Sequence, residues 1–336
     1  MRSFVPLLAA CCAILSTLHG AILASPHVIH QKDSRAPTVS TLYQFSSNGS
    51  WVENLAVRSN GELLVTRADV PELWSVSPSK GSASLVYSFP NANGLLGITE
   101  ICPDVFAVVA GVLSLSTATA TPGSFVIWKV DLKHRKPIVT LTKAIPEALF
   151  LNGVTTFDAK LGIVLIADSV KGAIWRLNTK TGAYSIALSD PTMLPAPGQP
   201  IGVNGVKVFN RHVYYTSSTQ GRFCRVAVDA QASSTGPVEI IAGGFFQDDF
   251  TFSHDGTAYI TTNVENTVLK VTPQGQLSVV AGSANSSVVA GATACQFGRT
   301  QKEEGVLYVT TSGAQAAPVN GTFIEPGKVV AVHLSD

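Results

Sequence analysis

A unit of four short β segments joined by tight turns recurs along the chain, and this repetition restricts its possible folds more than any single motif does. The clearest copy runs Phe250-Thr-Phe-Ser, Ala258-Tyr-Ile-Thr-Thr, Asn266-Thr-Val-Leu-Lys-Val and Leu277-Ser-Val-Val-Ala. His254-Asp255-Gly256 and Pro273-Gln-Gly275 turn the chain between segments, which makes the unit an antiparallel meander. The same order returns over 54–89 and 152–188. Comparable starts fall near Glu53, Gly97, Asn152, Asn204, Asp248 and Phe297, 44 to 55 residues apart. Helical periodicity is almost absent. This spacing, with four strands per repeat, predicts an all-β chain folded as a six-bladed β-propeller with four-stranded antiparallel blades. The last unit ends after Lys328-Val-Val-Ala-Val-His without an outer strand, while Thr41-Leu-Tyr-Gln-Phe stands before the first unit as Leu85-Val-Tyr-Ser-Phe stands before the second. The N-terminal strand is therefore expected to complete the last blade and close the ring, which removes an exposed sheet edge.

Of the 336 residues, 46% are hydrophobic and 13% charged, with a formal net charge of +1. Ordinary soluble domains carry about 25% charge. So apolar a chain is not a disordered polyelectrolyte, and its balanced charge offers no basic field to nucleic acid or an anionic membrane. Arg2, the apolar run over 4–18 and the small residues Gly20, Ala21, Ala24 and Ser25 read as a signal peptide over 1–24. That run is too short to span a bilayer, and no later run is longer. A loose lead-in over 25–38 and a single propeller domain over 39–336 follow, with the protein in the secretory pathway. In that compartment the sequons at Asn48, Asn285 and Asn320 are glycosylation candidates, each expected in a surface turn. Cys11 and Cys12 leave with the signal, so Cys102, Cys224 and Cys295 remain. One disulfide and one buried thiol is the simplest expectation, with the pairing open.

The innermost strand of each propeller blade lines a central channel, so residues at its start converge on one mouth. Here they are Trp51, Glu53 and Asn54, then Asn152, Asn204, and the pair Asp248 and Asp249. Asn152-Gly153 and Asn204-Gly205 also read as turn signals. Which of Asp248 and Asp249 faces the channel stays open, because a one-residue slip reverses strand facing. Trp51, Leu95, Leu96, Phe150, Phe245, Phe246, Phe297 and a Pro-rich insertion over 191–200 containing Met193 flank these positions. Such apolar surroundings favour a large, greasy ligand. Phosphate-cradling Gly loops, Gly-x-Ser-x-Gly, Cys-x-x-Cys and His-Glu-x-x-His are all missing from the sequence.

The patterns Glu53-Asn-Leu-Ala-Val, Leu151-Asn-Gly-Val, Val203-Asn-Gly-Val and Asp249-Phe-Thr-Phe with His254-Asp-Gly resemble six-bladed propellers of the gluconolactonase and senescence-marker type, over roughly 50–335. That resemblance implies a lactonase holding a divalent metal, Ca²⁺ or Zn²⁺, through Glu53, Asn204 and Asp248 or Asp249, with Asn152 on the substrate. The chain departs from it in having Glu53-Asn54-Leu55 where the family carries Glu-Gly-Pro. The whole chain is also similar to secreted fungal propellers of natural-product pathways, including the hetero-Diels–Alderases of tropolone–sesquiterpene biosynthesis, and this branch suits the apolar surroundings better. It implies a cofactor-independent addition of a tropolone quinone methide to a humulene-type alkene, forming a dihydropyran, which is a problem of orienting two partners. In such chemistry Asn152, Asn204 and Gln247 would hydrogen-bond the tropolone oxygens, and Glu53 or Asp248 would assist loss of water from a hydroxymethyl precursor. Trp51, Phe245, Phe246, Gln247, Phe297 and Met193 would contact the apolar small-molecule substrates. A metal-dependent lactonase and a non-catalytic ligand-binding propeller are the alternatives.

Overall fold

A computed structural model describes residues 37–334; the signal peptide and most of the lead-in lie outside the described residues. Six four-stranded antiparallel sheets surround an axis, with one small extra hairpin. From the axis outward, blade 1 holds Val52–Val57, Leu63–Arg67, Glu72–Ser77 and Ser82–Ser88. Blades 2 to 6 repeat this order from inner strands Gly94–Cys102, Leu151–Asp158, Val203–Phe209, Phe250–Phe252 and Ala292–Phe297. As the sequence leads one to expect, Thr38–Gln44 is the outer strand of blade 6, running antiparallel to Lys328–His333 with Thr38 opposite His333 and Gln44 opposite Lys328. Helical structure among the described residues is limited to the 3₁₀ turns Pro191–Met193 and Asn263–Glu265. None is long and apolar enough to cross a membrane.

Burial follows from blade stacking. Strands such as Val105–Gly111 and Ile163–Asp168 are covered on both faces by neighbouring blades and are buried at every position, which is why they read as continuous apolar runs. Outer strands are half exposed. In all six blades the ladder between third and outer strands slips at an equivalent point, between Leu73 and Trp74 in blade 1 and between Phe223 and Cys224 in blade 4. A bulge at each edge strand twists it away from pairing with another chain.

Threonine hydroxyls tie neighbouring blades together at four junctions near the axis. Thr66 donates to the Leu96 carbonyl (2.7 Å), Thr261 to the Thr293 carbonyl (2.8 Å), and Thr216 to the Asp248 carbonyl. Thr293 donates to the Val52 carbonyl (2.7 Å), which joins blade 6 to blade 1. At this radius there is little room. Gly153 and Gly205 lie inside inner strands rather than in turns, and a Cβ added at Gly153 would stand 2.6 Å from the Asn204 carbonyl oxygen. Close blade approach, not turn geometry, therefore requires this glycine. The colliding atom is backbone and cannot swing aside, so Gly153→Ala is expected to cost about 1–3 kcal/mol, measured as a lower urea midpoint at unchanged slope.

The structure corrects the cysteine expectation: Cys102, Cys224 and Cys295 are all free thiols. They sit in blades 2, 4 and 6, so no two share a sheet. Asn48, Asn285 and Asn320 are each exposed in a turn. Blade 2 carries a feature the repeat did not announce, a hairpin of Leu113–Ser114 and Thr119–Ala120 inserted between its second and third strands.

Candidate active site

Equivalent hydrogen bonds identify equivalent residues. The inter-blade threonine bonds place Leu96, Asp248 and Thr293 at one level of the ring, and the matching ladder slips add Glu53, Asn152 and Asn204, one residue from each blade. At this level the ladder between inner and second strands slips in five blades, at Val52/Asn54, Leu95/Ile98, Leu151/Val154, Val203/Val206 and Ala292/Ala294. Such bulges break the in–out alternation and re-aim a side chain; here they turn Glu53, Leu96, Asn152 and Asn204 towards the axis. Blade 5 reaches the same result differently: its strand begins only at Phe250, and Asp248 precedes it.

Five of these residues, Glu53, Leu96, Asn152, Asn204 and Asp248, line one cavity that opens to solvent. Trp51, Phe150, Ile201, Phe246, Asn263 and Val264 complete its walls, with Leu113, Ser114, Leu115 and Ala118 from the blade 2 hairpin and Ala316 from blade 6. The sequence-selected Glu53, Asn152, Asn204, Asp248, Trp51 and Phe246 thus come together. Four others do not line the cavity. Phe245 packs with the aromatic cluster between blades 4 and 5, and Met193 is buried in the core shared by blades 3 and 4. Phe297 closes the inner strand of blade 6 at its far end, edge-on to Tyr259 at 5.1 Å; the unit starts at Ala292, so Thr293 holds the ring position. Gln247 occupies the register of Val52 and Val203, which points into the core, and its amide finds no hydrogen-bond partner among the described residues.

The choice between neighbouring aspartates is decided by their partners. Asp249 turns from the cavity: Lys207 Nζ donates to its Oδ1 (2.6 Å) and Asn54 Nδ2 to its Oδ2 (2.8 Å). This bridge joins blades 1, 4 and 5 across the axis. Asp248 accepts from Asn204 Nδ2 (2.8 Å) on one oxygen and from Asn263 Nδ2 (3.0 Å) on the other. Asn204 also donates to Ser218 (3.0 Å), and Asn263 accepts from Ser312 (3.2 Å). Asn152 has one long contact, to Ser169 at 3.4 Å, so its amide is the least committed of the ring. Glu53 accepts from the Trp51 indole at 2.5 Å. Asn263 escaped the sequence reading because it sits on a short 3₁₀ turn after the second strand of blade 5, outside the repeat position that marked the others.

No Lys, Arg or His lines the cavity to offset its two carboxylates. Burial pushes the Glu53 carboxyl up to about 7, against the Trp51 hydrogen bond and with help from Asp249. Burial likewise drives Asp248 well above the ordinary carboxylate range, reinforced by Glu53 and opposed by the Asn263 and Asn204 amides. At neutral pH the pair holds a proton that an exposed pair would have released. The same oxygens are hard donors. Glu53, Asp248 and the amide oxygens of Asn204 and Asn152 form a set chemically suited to Ca²⁺, once the Asn204 amide turns its oxygen rather than its nitrogen to the site. Among the described residues no three His, Cys, Asp or Glu side chains converge on a metal site.

No family model matches the chain. Two curated relatives do, and their names mark them provisionally as hetero-Diels-Alderases. One, from Phoma sp, is 29% identical over 297 residues, covering 78% of this chain and 84% of the relative. The other, from Sarocladium schorii, is 29% identical over 341 residues, covering 87% and 84%. Among solved structures, a luciferin-regenerating enzyme superposes with a TM-score of 0.64 at 14% identity, covering 89% of this chain and 96% of that one. A gluconolactonase from Xanthomonas campestris gives 0.59 at 12% identity, covering 89% and 90%. In fold the chain is a six-bladed propeller similar to these structures, and in sequence it resembles the two relatives named as hetero-Diels-Alderases over most of its length.

Proposed function

We propose that the protein is a pericyclase of secondary metabolism, joining a tropolone quinone methide to a humulene-type sesquiterpene by a hetero-Diels–Alder addition. One observation carries this reading: one cavity sets two buried carboxyls and the weakly committed Asn152 amide beside apolar side chains. The relatives' names support the same class. In the first step the Asp248–Glu53 pair gives a proton to the hydroxyl of a hydroxymethyl tropolone. The C–O bond breaks, water leaves, and the tropolone hydroxyl proton passes to the pair, which ends as it began. The resulting heterodiene, C=C–C=O, then meets the alkene. One C–C and one C–O bond form as three π bonds become one, so no oxidant or reductant is consumed. The Asn152 amide donates to the tropolone oxygen and lowers the heterodiene's barrier, Asn204 and Asn263 hold Asp248 in place, and the walls supply orientation. The turn-exposed sequons support passage of the chain through the secretory pathway; an endoglycosidase mobility shift of the native protein checks it.

The uncompensated carboxylates favour a second reading, a metal-dependent lactonase in which Glu53, Asp248 and Asn204 hold a divalent cation that polarises a lactone carbonyl. Purified protein incubated with both partners in excess chelator separates the two. Undiminished dihydropyran formation, falling about tenfold in Asn152→Ala, is the expected result. Ring formation absent throughout, with lactone hydrolysis that follows added Ca²⁺, would replace the first reading by the second.

A further inference from the structure

The ring level that carries Glu53, Asn152, Asn204, Asp248 and Thr293 is polar in every blade but one. Blade 2 places Leu96 there. In a ring of six blades, blade 2 stands diametrically opposite blade 5, so Leu96 faces Asp248 across the axis. The same blade carries the hairpin, which adds Leu113, Leu115 and Ala118 directly to the Leu96 side of the mouth. This hairpin is held firmly. Asn93 Nδ2 donates to the Leu113 carbonyl and the Leu113 amide donates back to Asn93 Oδ1, both at 2.8 Å. Leu113 packs in one cluster with Leu96, Phe125 and Phe150. Gly94 leaves no slack beneath it, since a Cβ there would stand 2.9 Å from Leu113.

From this polarity we infer that Leu96 and the hairpin residue Leu115 form the subsite for the hydrocarbon partner and determine specificity for it, while the Asp248 side receives the oxygenated partner. The inference rests on the pericyclase reading and assigns its two substrates to opposite walls. An alkene has no hydrogen-bond acceptor, so a polar wall would have to be desolvated without return, whereas an aliphatic wall gains by contact. Reversing the two partners would leave the buried Asp248 carboxyl facing hydrocarbon.

Calorimetric titrations with humulene and, separately, with tropolone test this on the full chain and on Leu96→Asn, Leu115→Ser and Asp248→Asn. Leu96→Asn restores the polar type found in the other blades, and Leu115 is only partly buried, so Leu115→Ser guards against a folding defect in the first variant. Humulene affinity is expected to fall about tenfold to a hundredfold in Leu96→Asn and less in Leu115→Ser, the range set by loss of one Leu contact, with tropolone affinity within twofold of the parent. Asp248→Asn should show the opposite selectivity. Parent-like humulene affinity in both leucine variants, alongside intact ring formation, overturns the subsite and leaves the pericyclase reading standing. Leu96-dependent humulene binding in a protein that forms no dihydropyran keeps the subsite and overturns the reaction.

Discussion

Thermal stability is expected to fall as the pH rises from 5 to 8, and Glu53→Gln to make that fall shallower. A carboxyl whose ordinary value is 4.5 and which stands at about 7 in the folded protein keeps its proton through a window in which the unfolded chain releases it. Between these values the native state binds more protons than the unfolded state, so stability decreases with rising pH and the full loss is present above about 7. For Glu53 alone this corresponds to about 3 kcal/mol, and Asp248, raised by the same burial and by Glu53, adds in the same direction. Gln at position 53 keeps an oxygen for the Trp51 indole yet has no charge to desolvate. Asp249 is already paired with Lys207 and stays in both forms. Melting temperatures at pH 5 and pH 8 for the parent and Glu53→Gln measure the difference; equal slopes for the two proteins would show that the pair is not desolvated as described. Added Ca²⁺ that stabilises the parent at pH 8, and not Glu53→Gln, would favour the lactonase reading.

Asp248→Asn is expected to lower turnover of a hydroxymethyl tropolone by about 10²–10⁴-fold, while leaving addition of a pre-formed quinone methide, at saturating concentration, close to the parental rate. Asn keeps the shape between Asn204 and Asn263 but carries no proton to give the leaving hydroxyl. The contrast between substrates matters more than either rate, because a purely structural role for Asp248 would depress both. For the parent, turnover of the hydroxymethyl substrate should decline with rising pH as the raised carboxyls release their protons, Glu53 at about 7. The quinone methide reaction should not follow that profile. Single-turnover kinetics with each substrate across pH 5.5–8.5 measure both.

Residue pattern alone accounts for the blades, because β alternation and turn residues act within a few positions of one another. The repeat order and the closing strand Thr38–Gln44 were legible for that reason, and so was the common placement of Glu53, Asn152, Asn204 and Asp248 at the starts of inner strands. Where the pattern thinned, placement slipped. Phe297 marks the end of a strand that begins at Ala292, since Ala292-Thr-Ala-Cys carries little alternation. Gln247 lies one residue from Asp248 yet is fully buried, a facing that strand alternation did not announce because the blade 5 strand begins only at Phe250.

Other features depend on distance along the chain rather than on local pattern. Asn54 meets Asp249 across 195 positions, Asn263 reaches Asp248 from a turn outside the repeat, and the blade 2 hairpin becomes a wall of the cavity only because the ring brings it over Leu96. The sequence by itself determined the architecture and which residue types reach the axis, since strand period and turn chemistry are local. Tertiary structure alone decided which of those carboxyls are raised by burial, which one pairs with Lys207, and which wall is apolar, since Coulomb interaction and desolvation depend on separations that only ring closure establishes.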